Sequence, residues 1–143
     1  MLGTYVRLHG AAGRTSAAST LCHHGAIVTR VLIVDDHPSF RASARAVLEA
    51  EGFEVVGEAD DGPSALRAVR TLEPDVVLLD VQLRDTSGFE LCAYLCEDGP
   101  RPRVVLVSSR EASDYGDLVE SSPARGFISK ADLSGDAIRE LLA

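Results

Sequence analysis

Acidic, hydroxyl and ammonium side chains stand directly after four short aliphatic runs of this sequence. Asp35 and Asp36 follow RVLIV, Asp80 follows DVVLL, Ser108 follows RVVLV and Lys130 follows RGFIS. Clustered carboxylates repel one another unless a cation lies among them, and Mg²⁺ prefers hard oxygen ligands. A carboxylate can also accept a phosphoryl group, whose charge an ammonium and a hydroxyl would stabilise. Each acid alone could instead cap the helix that follows it. Together, they predict an acidic crevice that binds magnesium.

The elements that must position these residues alternate between aliphatic runs and segments with helical spacing. The runs predict strands at 30–34, 53–58, 75–79, 103–107 and 125–129, and the spacing predicts helices at 39–50, 64–72, 88–97, 111–120 and 134–142. Five strands joined by helices form a doubly wound parallel sheet, a (βα)5 arrangement of the α/β class. Ligands of such sheets bind outside the carboxyl ends of the strands. We therefore expect the acids, the hydroxyl and the lysine to meet at that edge.

Composition excludes several classes of function. The chain has 143 residues, 45% of them hydrophobic and 25% charged, which suits one globular domain. Fourteen basic and 22 acidic residues give a net charge of −8, the wrong sign for a protein that binds nucleic acid through bulk positive charge. The aliphatic runs fall far short of the roughly 20 residues of a membrane span. We expect no direct nucleic-acid partner and no membrane partner.

The beginning of the chain differs from the rest. No acidic residue precedes Asp35, and the first 26 or so residues are rich in Gly, Ala, Ser and Thr without a sustained period. We expect residues 1–28 to be a disordered tail and residues 29–143 to be the folded domain. The acid-free composition also resembles a transit peptide, whereas the apolar stretch of a signal peptide is absent.

The three cysteines indicate a reducing compartment, which we expect to be the cytoplasm, because their odd count gives no disulfide framework. Cys92 and Cys96 are four residues apart on a predicted helix, where buried small apolar side chains are favoured over metal ligands. The sequence Cys22-His23-His24 lies in the predicted tail and supports no more than adventitious metal binding.

Six stretches surround the residues at the strand ends: VLIVDDHP (31–38), EADDGPSAL (58–66), PDVVLLDVQL (74–83), SGFE (87–90), VVLVSS (104–109) and GFISK (126–130). In this order they resemble the receiver domain of response regulators, the signalling proteins of bacterial two-component systems. The resemblance covers about residues 29–143. It implies a flavodoxin-like fold whose five-stranded parallel sheet has the strand order 2-1-3-4-5.

The resemblance also implies a magnesium-dependent phosphorylation site. Asp80 resembles the phosphoacceptor of the family. Asp36 and Asp80 resemble the direct ligands of Mg²⁺, and Asp35 resembles the acid that acts through water. The backbone carbonyl of Gln82 resembles the third protein ligand, although a solvated loop residue is the alternative for this position.

Other residues resemble those that assist and transmit phosphorylation. Lys130 resembles the phosphate-binding lysine, and Ser108 resembles the switch hydroxyl. Phe127 resembles the aromatic residue that moves inward on phosphorylation, and a plain core residue is its alternative. Gln82 and Arg110 stand where the family tunes the lifetime of the phosphoryl group.

These roles imply a single-domain response regulator rather than a classical enzyme. A histidine kinase or a histidine phosphotransfer protein would donate the phosphoryl group to Asp80 in a reaction that the receiver itself catalyses. Phosphorylation would then switch contacts with a downstream protein or with a second receiver in a homodimer.

Several alternatives remain. The stretch GFISKADL resembles receivers of helix-turn-helix regulators, so the chain could be a receiver fragment of a DNA-binding transcriptional regulator without its output domain. A haloacid-dehalogenase-type phosphatase also uses an Asp at a strand end but needs a second Asp where Gln82 stands. Flavin binding would need a phosphate loop rich in Ser, Thr or Gly after the first strand, where Asp35 and Asp36 lie. A degenerate receiver is disfavoured because the acids, Ser108 and Lys130 are all present.

Overall fold

A six-stranded sheet with helices on both faces dominates the computed structural model, which describes residues 5–8 and 27–143. The strands are β1 (Tyr5–Arg7), β2 (Arg30–Val34), β3 (Glu54–Ala59), β4 (Val76–Asp80), β5 (Arg103–Ser108) and β6 (Gly126–Ser129). The helices are α1 (Pro38–Ala50), α2 (Gly62–Leu72), α3 (Gly88–Leu95), α4 (Leu118–Ser121) and α5 (Gly135–Leu142), with 3-10 turns at Ala112–Tyr115 and Lys130–Asp132.

The sheet has the order β1-β6-β5-β4-β2-β3, and the strands from β2 to β6 are parallel. Counted from β2, this is the order 2-1-3-4-5, so the flavodoxin-like α/β fold is confirmed. The central strand β4 is buried along its whole length because helices cover both faces of the sheet. This burial explains why the parallel strands appear in the sequence as continuous aliphatic runs.

Alternate residues of the strands pack into two separate hydrophobic layers, one on each face of the sheet. Leu32 and Val34 of β2 pack into the layer that α2 and α3 cover, whereas Val31 and Ile33 pack into the layer that α1 and α5 cover. Opposite faces receive alternate side chains because the side-chain period of a strand is two residues. Cys92 is fully buried in the first of these layers, which confirms its expected role as a small core residue.

The first strand corrects the expectation that all of residues 1–28 form a tail. Tyr5–Arg7 pairs antiparallel with β6, with Tyr5 opposite Ile128 and Arg7 opposite Gly126. The strand supplies hydrogen-bond partners to backbone groups that would otherwise lie open on the edge of β6. Three residues show too little alternation to predict a strand from sequence. Residues 9–26, which include Cys22 and the two histidines after it, lie outside the described residues.

The helices follow the predictions except between residues 111 and 120. There, a 3-10 turn at Ala112–Tyr115 and the single-turn helix α4 replace the expected continuous helix. Gly116 separates them with φ of 61°, a left-handed conformation that glycine adopts without strain. Pro38 begins α1 as expected, and the side chains of Asp61 and Ser87 cap α2 and α3. None of the helices within the described ranges is long and apolar enough to cross a bilayer.

Candidate functional site

The carboxyl ends of β2, β4, β5 and β6 bring the predicted site residues to one edge of the sheet. Asp35 directly follows β2, Asp80 ends β4, Ser108 ends β5 and Lys130 directly follows β6. These positions follow from the parallel register, in which β4 lies between β2 and β5 and β6 lies beside β5. The edge is therefore the crevice in which a doubly wound sheet binds its ligand.

Three carboxylates and an imidazole form a compact cluster in this crevice. One ligand atom from each of Asp35, Asp36, His37 and Asp80 lies within 4.8 Å of the others. Asp35 and Asp80 are 0% and 2% exposed. Neither Asp35 nor Asp36 caps α1, whose N-cap residue is His37 and which has no side-chain cap. The helix-capping alternative for this acidic pair is therefore wrong.

The donor set fits Mg²⁺. The buried Oδ2 of Asp80 has no hydrogen-bond partner within the described part of the chain, and the buried Oδ1 of Asp36 has only a 3.2 Å ion-pair contact with Nδ1 of His37. Buried polar atoms without partners are rare in folded proteins and often mark the place of an ion. Because these donors are hard carboxylate oxygens, they suit magnesium better than a metal that prefers sulfur or nitrogen.

Lys130 lies between two of the carboxylates. Its Nζ is 2.7 Å from Asp35 Oδ2 and 3.6 Å from Asp80 Oδ2, so it contacts the first closely and leaves the second without a hydrogen bond. The ammonium also lies 4.4 Å from the centre of the Phe40 ring, a distance typical of a cation–π contact. These contacts hold one positive charge next to Oδ2 of Asp80.

The electrostatics of the site act on Asp80. Burial raises the pKa of Asp80 to about 6, and the nearby charge of Asp35 contributes to the increase. The Lys130 ammonium and a hydrogen bond from the Gln82 backbone N–H to Oδ1, 3.2 Å long, act in the lowering direction. The ionised carboxylate is therefore destabilised where it lies, and a bound cation would relieve that destabilisation.

The loop between β4 and α3 is held against the site by its backbone. Gln82 is exposed and pairs with Ser87 across the loop. The Gly88 N–H donates to the Val81 carbonyl at 2.7 Å, and a Cβ at Gly88 would lie 2.3 Å from the carbonyl oxygen of Asp80. Only glycine permits this close approach. The loop thereby brings Arg84 to the rim, with Nε 3.6 Å from Asp36 Oδ2.

Ser108 and Phe127 are both buried beside the crevice, and a tyrosine joins them. The Oγ of Ser108 lies 2.6 Å from the hydroxyl of Tyr115 and accepts a hydrogen bond from the backbone N–H of Arg110 at 3.0 Å. The Tyr115 ring contacts the Phe127 ring at 6.0 Å between centroids. Arg110 itself is exposed, and its carbonyl accepts from the Ser129 hydroxyl at 3.3 Å.

Sequence reasoning missed His37 and Tyr115 as members of the site. The Nδ1 of His37 lies 2.9 Å from Asp35 Oδ1 and 3.2 Å from Asp36 Oδ1. Its position directly after the acidic pair was a signal that could have been used. Tyr115 offered no such signal, because only the folding of the 3-10 turn over β5 and β6 brings it to Ser108.

Comparison with known proteins agrees with this geometry. The family model of the response regulator receiver domain matches residues 31–142. The response regulator GacA of Pseudomonas aeruginosa is 35% identical over 118 residues, which are 80% of this chain and 55% of GacA. The nitrate/nitrite response regulator protein NarP of Escherichia coli is 36% identical over 102 residues, which are 71% of this chain and 47% of NarP. The chain spans about half the length of the curated relatives it matches.

Solved structures give the same result. The signal receiver domain of a response regulator named NarL from Mycobacterium tuberculosis superposes with a TM-score of 0.71 at 31% identity, covering 80% of this chain and 96% of that one. The chemotaxis response regulator CheY4 of Vibrio cholerae, at 22% identity and a TM-score of 0.70, shares the fold. Receiver domains are signalling modules of two-component systems, for which aspartate phosphorylation and Mg²⁺ are standard. The chain belongs to the response regulator receiver domain family.

Proposed function

We propose that this chain is a phosphorylation-dependent signalling module whose phosphoacceptor is Asp80. One observation carries the proposal: Oδ2 of Asp80 is a buried carboxylate oxygen that has no hydrogen-bond partner in the described residues and lies 3.6 Å from the ammonium of Lys130. A nucleophilic oxygen next to a fixed positive charge is what transfer of a phosphoryl group requires. The proposed functional unit is residues 29–143.

The donor in the proposed reaction is a phosphohistidine of a histidine kinase or a histidine phosphotransfer protein. A carboxylate oxygen of Asp80 forms a bond to phosphorus while the bond between phosphorus and the donor nitrogen breaks. The donor imidazole keeps the electron pair of that bond. Lys130 and Ser108 donate hydrogen bonds to the phosphoryl oxygens and so stabilise charge on the transferring group.

The proposed magnesium ligands are the carboxylates of Asp36 and Asp80 and the backbone carbonyl of Gln82, with Asp35 acting through water. When bound, Mg²⁺ neutralises negative charge on the carboxylates and on the phosphoryl oxygens. The buried oxygens of Asp36 and Asp80 that no donor in the described residues hydrogen-bonds support this assignment.

The output of the proposed module is a change in protein contacts. Ser108 and Phe127 are the proposed switch residues, and Gln82 and Arg110 are the proposed positions that tune the lifetime of the phosphoryl group. Burial of Ser108 and Phe127 beside the crevice and exposure of Gln82 and Arg110 at its rim support this division. The proposed targets are a downstream protein or a second receiver.

The decisive experiment treats the protein with acetyl phosphate and Mg²⁺ and measures its intact mass. We expect one added phosphoryl group, released by hydroxylamine, and none in Asp80→Asn or in EDTA. Asp136→Asn is the matched control, because that side chain is 92% exposed on α5. No adduct in the wild type, or an adduct that persists in Asp80→Asn, would show that Asp80 is not the phosphoacceptor.

A second candidate is the receiver segment of a transcriptional regulator. It is favoured because the chain spans 54% of the transcriptional regulatory protein LiaR of Bacillus subtilis and about half of the other relatives. An immunoblot of the native cell distinguishes the two candidates. A band at 15.2 kDa supports the single receiver, and a clearly heavier band supports the longer regulator.

A further inference from the structure

The hydroxyl of Ser108 is hydrogen-bonded to the hydroxyl of Tyr115. Ser108 is fully buried, its Oγ lies 2.6 Å from the Tyr115 hydroxyl, and it accepts a hydrogen bond from the Arg110 N–H. A serine hydroxyl has one proton to donate. Among the described residues, Tyr115 provides the one acceptor for that proton, and Tyr115 is only partly buried, so its own proton can go to water. The distance alone allows either hydroxyl to donate, and we assign Ser108 as the donor and Tyr115 as the acceptor because the reverse would leave a buried donor unpaired.

Two aromatic neighbours fix the Tyr115 ring in this position. Phe89 of α3 lies 5.5 Å from it in an edge-to-face arrangement, and Phe127 of β6 lies 6.0 Å away. Such pairs favour defined ring orientations. The contact with Phe127 also links Ser108 to a second residue of the proposed switch. The position of the Tyr115 hydroxyl is thus set by packing as well as by its hydrogen bond.

The surroundings leave Tyr115 room to move when that bond is lost. Tyr115 lines an open surface groove of about 550 Å³, together with Phe89, Leu118 and the β4–α3 loop. Tyr115 belongs to a 3-10 turn that has no buried residue and is followed by the left-handed Gly116. A segment whose side chains are only partly buried opens at a lower free-energy cost than the core does.

We propose that Tyr115 is a positioning residue that holds the Ser108 proton away from the phosphoryl site. A phosphoryl oxygen and the Tyr115 hydroxyl compete for this single proton, so phosphorylation releases Tyr115 and the segment that carries it. The inference rests on the proposed function and adds to it a residue outside the family motif, which ties occupancy of Asp80 to the 3-10 turn and α4.

The test is a double-mutant cycle on the binding of beryllofluoride, a mimic of the phosphoryl group, in the presence of Mg²⁺. We expect Tyr115→Phe to tighten binding about three- to tenfold, the fold-change of one net hydrogen bond, because it removes the competing acceptor. In a Ser108→Ala background, the same change should have no effect. Tyr94→Phe is the control, since Tyr94 is 52% exposed on α3. Unchanged affinity in Tyr115→Phe, or equal effects in both backgrounds, would overturn the inference.

A spectroscopic measurement on the unmutated protein gives an independent result. The tyrosine doublet in the Raman spectrum reports whether a hydroxyl accepts a strong hydrogen bond, and Tyr115→Phe identifies the contribution of Tyr115. We expect beryllofluoride to shift that contribution, and an unshifted doublet at saturation would overturn the inference. If the wild type neither binds beryllofluoride nor takes a phosphoryl group from acetyl phosphate, the proposed function itself fails. If the wild type binds beryllofluoride but the effects of Tyr115→Phe and Ser108→Ala are additive, only the role of Tyr115 is refuted.

Discussion

Replacing Asp80 with asparagine is expected to stabilise the fold when no divalent cation is present. The carboxylate is almost fully buried, and its pKa is raised to about 6, first by burial and then by the charge of Asp35. Asparagine keeps an oxygen that can accept the Gln82 N–H but has no charge to remove from water. The substitution therefore removes a destabilising ionisation and keeps most of the local geometry.

The sign and size of the effect follow from the shift in pKa. The pKa of Asp80 in the folded protein, about 6, exceeds its ordinary value of 3.8, so ionisation opposes folding. A difference of about two units corresponds to about 3 kcal/mol of unfolding free energy. This destabilisation is fully present above about pH 6, declines as the pH falls through the folded pKa, and is absent below about pH 4. Asp80→Asn should therefore raise the free energy of unfolding by about 3 kcal/mol at pH 8 and leave it unchanged at low pH.

Urea unfolding in EDTA, followed by far-UV circular dichroism across this pH range, measures the prediction. With a slope of roughly 2 kcal/mol per molar urea, the midpoint of Asp80→Asn should lie about 1.5 M above that of the wild type at pH 8. Asp136→Asn, which replaces an exposed acid, should have a free energy of unfolding within about 0.5 kcal/mol of the wild-type value. Equal stability of Asp80→Asn and wild type at pH 8, or a difference that does not vary with pH, would refute the argument from burial.

Three further predictions concern the same crevice. Mg²⁺ at about 100 times its dissociation constant should stabilise the wild type by about 2.7 kcal/mol, and Asp36→Asn should lose most of this gain in a thermal-shift titration; equal gains in both would exclude Asp36 as a ligand. Lys130→Ala should lower the unfolding free energy by about 3–5 kcal/mol at neutral pH, because it leaves the buried Asp35 carboxylate without its nearest cation. Urea unfolding measures this loss, and a value below about 1 kcal/mol would contradict the prediction. Gly88→Ala should lower stability by about 1–3 kcal/mol and slow phosphorylation by acetyl phosphate, since its Cβ would meet the backbone of Asp80. A stability and a phosphorylation rate equal to those of the wild type would contradict the close approach of Gly88 to that backbone.

The strands and the location of the site could be predicted from sequence. Each strand is a local pattern of residues, and the parallel topology then determines where the strand ends lie. Parallel strands buried on two faces are continuous aliphatic runs, and the five runs from Arg30 onward became β2 to β6. Once the sheet is parallel, all carboxyl ends lie at one edge. Asp35, Asp80 and Lys130 therefore meet, even though 95 residues separate the first from the last.

The parts that sequence could not predict depend on contacts between distant residues. The strand β1 is three residues long and pairs with a strand about 120 residues later in the chain, so no local pattern reveals it. The helix expected over 111–120 fails because Gly116 takes a left-handed conformation between two short turns. Tyr115 reaches Ser108 because the 3-10 turn folds over the sheet, where Phe89 and Phe127 pack against the tyrosine ring.

The pairing of β1 with β6 has a consequence for how molecules of this protein meet one another. An uncovered strand edge is a template on which another chain can add a strand and start edge-to-edge aggregation. In the described residues, β1 covers one end of the sheet, and β3 forms the other. That second edge carries the exposed Glu54 and is interrupted by an irregularity where Val31 and Leu32 pair with Val55 and Gly57. Charge and irregular pairing both discourage strand addition, so the two ends of the sheet are protected by different means.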